Sequence, residues 1–113
     1  MLKIYHNPRC RKSRETLQLI NDQGEEVEIV EYLNEIPTVE TLRSILTKLG
    51  LKPIDIVRKG EQIYKENFKG KDYDDEEWLK ILHENPKLIE RPIVVKGGKA
   101  IIGRPPSNVN QLF

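Results

Sequence analysis

A second cysteine is missing from this chain, and that absence excludes a good deal. Cys10 stands alone among 113 residues, so no internal disulfide framework forms and no multi-cysteine zinc or iron–sulfur site fits within one chain. No apolar run approaches the ~18 residues of a membrane span, which excludes a membrane-embedded chain. Met1-Leu2-Lys3-Ile4-Tyr5 lacks the apolar core and small-residue cleavage site of a signal peptide. These absences point to a reducing, cytoplasmic setting in which a single thiol stays free. An excess of charge is missing too: 19 basic and 18 acidic side chains leave a formal charge of +1. That balance argues against a nucleic-acid binder and leaves room only for a local basic patch. Internal repeats, low-complexity stretches and interdomain linkers are likewise absent.

What is present fits one soluble domain, 37% apolar and 33% charged, large enough to bury roughly 65% of its unfolded surface. Leu2–Tyr5 reads as a first strand stopped by Asn7-Pro8. A helix carrying Leu17 and Ile20 follows, with Gly24 as its C-cap. Val27–Tyr32 alternates as a second strand. Pro37-Thr38 opens a helix with Val39, Leu42, Ile45, Leu46 and Leu49 at three/four spacing, closed by Gly50. Pro53 starts a short helix through Val57. Gly60–Tyr73 is polar and irregular and reads as a mobile segment. Asp74-Asp75 caps a helix carrying Trp78, Leu79, Ile81 and Leu82, stopped by Asn85-Pro86. Pro92–Val95 and Ala100–Ile102 flank Lys96-Gly97-Gly98-Lys99, a two-residue hairpin signal. Pro105-Pro106 to Phe113 forms a closing short helix. The β-α-β order predicts a parallel first pair, and the hairpin adds an antiparallel pair to the same sheet. The fold class is α/β, with a four-stranded mixed sheet.

Cys10 lies in His6-Asn7-Pro8-Arg9-Cys10-Arg11-Lys12-Ser13-Arg14, between the first strand and the first helix. A residue in such a turn meets the free N–H groups of a helix start. There the dipole and nearby cations lower a thiol from a pKa of ~8.5 to between ~3.5 and ~7.5. Arg9, Arg11, Lys12 and Arg14 supply four such cations, and no acid appears until Glu15. A lone cysteine is often just a small buried hydrophobe. Here burial beside so many charges is costly, which favours a reactive thiol. The phosphatase spacing, cysteine then arginine six positions later, fails at Thr16; a dithiol site fails at Ser13. Any redox cycle therefore borrows an external thiol, glutathione being the natural choice. His6 is a candidate to help set the thiolate.

Arg58, Arg91 and Arg104 stand at element edges. The loop before Pro92 and the end of the last strand can return toward Cys10. A guanidinium suits a tetrahedral oxyanion because its planar fork gives paired, charge-assisted hydrogen bonds. Ordinary surface arginines are the alternative. Glu40, Asp72, Asp74, Asp75, Glu76 and Glu77 read as a helix cap and a solvated face rather than a metal site.

His6-Asn7-Pro8-x-Cys10-x-x-Ser13-Arg14, Val57-Arg58-Lys59, Arg91-Pro92-Ile93-Val94-Val95 and Gly103-Arg104-Pro105, in that order over nearly the whole chain, resemble the glutaredoxin-linked (ArsC-type) arsenate reductases. The resemblance implies a single thioredoxin-like domain over 1–113, with a helical insertion at about 37–86. It implies a nucleophilic Cys10, an oxyanion site of Arg58, Arg91 and Arg104, a cis Pro92 beside the thiol, and supporting roles for His6, Asn7, Ser13 and Arg14. It also implies the reaction: Cys10 attacks arsenate, glutathione reduces the arsenic and leaves a mixed disulfide, and glutaredoxin restores the thiol. No bound cofactor or metal is required. Arg9, Arg11 and Lys12 depart from the smaller residues many such reductases carry. Spx-type regulators, which bind a protein partner without arsenate chemistry, share the superfamily but usually carry the Cys-x-x-Cys that Ser13 removes here. A monothiol glutaredoxin also fits Cys10-x-x-Ser13, but Arg91-Pro92 serves an anion better than a peptide backbone.

Overall fold

Short buried apolar runs and turn chemistry account for the sheet. A computed structural model describes residues 2–113, and among them four strands form one sheet, in which the first strand lies between the second and third and the fourth lies at the edge beyond the third. β1 (Leu2–His6) pairs in parallel with β2 (Val27–Glu31), Leu2 opposite Val27 and Ile4 opposite Ile29. On its other side β1 pairs antiparallel with β3 (Ile93–Lys96), Tyr5 opposite Ile93, and β3 pairs antiparallel with β4 (Lys99–Ile102). Gly97 takes φ +60° in the β3–β4 turn, the left-handed position that a glycine fills without a Cβ penalty.

α1 (Arg11–Asp22) runs between β1 and β2. Leu2 and Ile4 on the sheet, Ile20 on α1, Val94 on β3, and Val109 and Leu112 on the closing 3-10 helix Pro106–Leu112 form a buried cluster. Each such side chain contributes about 1.5–3 kcal/mol relative to exposure. The fully buried face of α1 also carries two hydroxyls, Ser13 and Thr16, while Leu17 is only partly buried. Ile29 alternates as expected but lies on the edge strand, and it remains half exposed.

By its internal packing the chain divides into two compact units, one formed by the segment up to Glu35 with Arg91–Phe113, the other by Ile36–Glu90. The expected insertion at 37–86 falls inside the second. There α2 (Val39–Leu49) starts at Thr38, whose side chain accepts from the Thr41 N–H, and ends at Gly50 with φ +70°. α4 (Asp75–Glu84) starts with reciprocal Asp74 and Glu77 hydrogen bonds to each other's backbone N–H. Arg43 on α2 forms a two-pronged ion pair with Glu76 on α4. Asp74 and Glu77 thus serve as a cap, and Glu76 and Glu40 as ion-pair partners of Arg43.

The segment 60–73 corrects the sequence reading, because it contains a helix, α3 (Gln62–Asn67). No α3 residue is buried, so no apolar stripe marks it in the sequence. Phe68, just beyond it, anchors the segment: its ring lies 6.1 Å from Tyr73 and 6.3 Å from Trp78. Among the described residues no helix is long and apolar enough to cross a membrane.

Candidate active site

The turn after β1 is held by its own side chains. The Cys10 N–H donates to the Asn7 carbonyl at 3.0 Å, and the Arg9 N–H donates to Asn7 Oδ1 at 3.0 Å. The Asn7 N–H donates to Ser13 Oγ at 3.1 Å, and Arg14 Nη1 donates to the Pro8 carbonyl at 3.0 Å. His6 Nδ1 meets the same Ser13 oxygen at 2.6 Å. Ser13 Oγ thus accepts from the Asn7 N–H and shares a second hydrogen bond with the His6 ring, whose direction is set by the ring tautomer. Burial lowers the His6 pKa; Arg14 adds to that and Glu31 opposes it.

Cys10 is the N-cap residue of α1. Burial alone pushes its thiol up, but a hydrogen bond and the charge of Arg91, with the Ser13 and Lys12 N–H groups at the helix start, outweigh burial and bring the pKa down. Arg104 Nη1 also donates to Cys10 Sγ, at 3.8 Å, and to the Arg91 carbonyl at 3.3 Å. Two guanidiniums distant in sequence therefore meet on one sulfur.

The register explains how. Tyr5 opposite Ile93 and Ile93 opposite Ile102 put the start of β3 and the end of β4 beside the end of β1. Arg91 precedes β3, and Arg104 follows β4. Pro92 is buried, with a cis bond from Arg91, and its carbonyl accepts the Gly103 N–H at 2.8 Å. A second cis bond joins Arg104 to Pro105.

The four local cations play other parts. Arg11 Nε pairs with Glu15 at 2.8 Å, Arg14 holds the turn, and Arg9, Arg11, Lys12 and Arg14 are all exposed. The charge that lowers the thiol comes from Arg91, and Arg104 reaches the same sulfur through Nη1. Arg58 lies in the second unit, where Nε sits 3.6 Å from Glu61 and Nη1 3.6 Å from Glu90.

Thr16 was not singled out by the sequence, although its spacing from Ser13 and Ile20 puts it on the inner face of α1. Its hydroxyl donates to the Lys12 carbonyl at 2.8 Å and lies 3.3 Å from the Gly103 carbonyl. A Cβ at Gly103 would meet Thr16 Oγ1 at 2.5 Å and Pro92 Cγ at 2.8 Å. The helix bearing Cys10 and the strand end bearing Arg104 approach closely because position 103 has no side chain.

A sequence model of the ArsC family matches residues 5–112. The chain belongs to the ArsC family. Among ArsC relatives, the chain is 47% identical to the uncharacterised protein YfgD of Escherichia coli K12, over 98% of this chain and 95% of that one. It is 43% identical to a protein of Haemophilus influenzae named arsenate reductase, over 97% of both chains. The solved structure of an arsenate reductase from Vibrio cholerae superposes with a TM-score of 0.94 at 43% identity, covering 99% of this chain and 97% of that one. The α/β architecture is thus that of the thioredoxin-like ArsC structures.

Proposed function

We propose that this ArsC chain is an oxidoreductase, a thiol-dependent arsenate reductase in which Cys10 is the nucleophile and Arg91 and Arg104 hold the oxyanion. The observation that carries this reading is the meeting of both guanidiniums on a sulfur at a helix start. A thiolate and an arsenate dianion repel, by about 4 kcal/mol per pair of unit charges at 4 Å near a protein surface. Uncompensated, that is about a thousandfold in rate. The arginines offset it and present forked donors to the tetrahedral oxygens. Arg58 joins them by resemblance alone.

In the first step thiolate, arsenate and two protons give a Cys10–arsenic(V) adduct and water. A glutathione thiolate then attacks Sγ. A sulfur–sulfur bond forms, the sulfur–arsenic bond breaks, and its electron pair goes to arsenic, which leaves as arsenite after taking up two protons. A glutaredoxin thiolate removes the glutathionyl group and frees Cys10. An external thiol is needed because Ser13 stands where a resolving cysteine would. The cytoplasm, where thiols stay reduced, suits this cycle. The reading is tested by arsenate-dependent oxidation of glutathione in the presence of glutaredoxin. The wild type turns over and Cys10→Ser does not; an inactive wild type overturns the reading.

A further inference from the structure

The two flanks of the Cys10 turn are built differently. The strand order and pairing bring four segments to one end of the sheet: 31–34 after β2, 7–10 after β1, Arg91-Pro92 before β3, and Gly103-Arg104 after β4. Both arginines on the sulfur come from the β3–β4 side. On the β2 side lies a cleft of about 320 Å³ between the turn residues 6–9 and Glu31, Leu33 and Asn34. That volume is within the range of small-ligand sites.

We propose that this cleft seats the external thiol, a small zwitterionic peptide of the glutathione class. The inference rests on the reductase reading above. Displacement at sulfur proceeds in line, so the entering thiolate approaches Cys10 Sγ opposite the departing arsenic. With the arsenic held by Arg91 and Arg104 on the β3–β4 side, the entering sulfur comes from the β2 side, where the cleft's lining reaches Arg9, the residue next to Cys10. The lining has the matching charges. Exposed Arg9 offers a fork for a carboxylate, and exposed Glu31 offers a partner for an ammonium group. Asn7 and Asn34 also line the cleft. Glutathione carries two carboxylates and one ammonium, so both signs are answered. The cleft also gives Arg9 a use distinct from those of Arg11 and Arg14.

The test uses the 113-residue Cys10→Ser chain, labelled with ¹⁵N and titrated with S-methylglutathione, which cannot react. Saturable amide shifts centred on Arg9, Glu31, Leu33 and Asn34 are expected. Glu31→Lys, at an exposed position, weakens the binding about three- to tenfold. Shifts confined to the segments around Arg91 and Arg104, shifts that do not saturate, or affinity unmoved by Glu31→Lys overturn the proposal. Arsenate protection of Cys10 against alkylation in the wild type separates the two failures. Protection without binding in the cleft overturns the thiol seat alone, and absence of protection overturns the reductase reading.

Discussion

Gly103→Ala should damage both stability and the site, because the space for one methyl group is already taken. The new Cβ would lie 2.5 Å from Thr16 Oγ1, 2.8 Å from Pro92 Cγ and 3.0 Å from Thr16 Cγ2. Comfortable carbon contacts are about 3.5–4.0 Å, so neighbours must yield by roughly 1 Å. Thr16 cannot swing aside cheaply. It is fully buried, and its hydroxyl is tied to the Lys12 carbonyl. Overpacking of this kind costs about 1–3 kcal/mol, which lowers Tm by about 4–12 °C for a domain of this size. The relief is a parting of α1 from the strand end, and with it the 3.8 Å contact of Arg104 with Cys10 Sγ is lost. Thermal unfolding reads the first effect, and the pH profile of Cys10 alkylation, moving to higher pH, reads the second. Thr16→Ala removes two of the three obstructing atoms. The double variant should therefore be more stable than the sum of the single changes by at least about 1 kcal/mol. An unchanged Tm in Gly103→Ala, or strict additivity in the double variant, would refute the steric argument.

Arg91→Ala removes a hydrogen bond and a charge that lower the Cys10 pKa, so the alkylation profile should move to higher pH; an unmoved profile contradicts this. Arg104→Ala, at an exposed position, should weaken arsenate protection of Cys10 by about tenfold or more while the fold persists, the usual loss for a charge-assisted hydrogen bond. Unchanged protection argues against its role on the anion. The His6 pKa lies below 6.5 in the folded chain, so its contribution to stability is complete above about pH 6.5 and declines as pH falls toward the lower folded value. The urea midpoint should drop between pH 8 and pH 5, and His6→Asn should flatten that slope. An equal slope in both proteins removes His6 from the explanation.

Much of this architecture was legible in the chain because local chemistry and tertiary structure agree. Thr38 and Gly50 frame α2, Asp74 caps α4, and Gly97-Gly98 turns the hairpin where the sequence puts it. α3 was hidden because a helix with no buried residue carries no apolar period. Cys10 announced itself by its place before a helix and among cations, yet those cations are not the ones that act on it. Arg11 pairs with Glu15 and Arg14 with the Pro8 carbonyl. The charges that matter arrive through strand register, which brings positions 91 and 104 to position 10. The element order allowed that return, but spacing along the chain does not say which cations reach the sulfur. Thr16 stayed unseen for a related reason: a threonine on a helix face looks ordinary until the glycine that crosses it is known.

The most direct measurement is the alkylation rate of Cys10 against pH, with and without arsenate. A thiol whose charged form is favoured by Arg91 and the helix start should ionise at lower pH than a free cysteine, whose pKa is ~8.5. Arsenate should slow it by occupying the arginine site. An apparent pKa at or above that value, or a rate indifferent to arsenate, would contradict both the thiolate and the anion site.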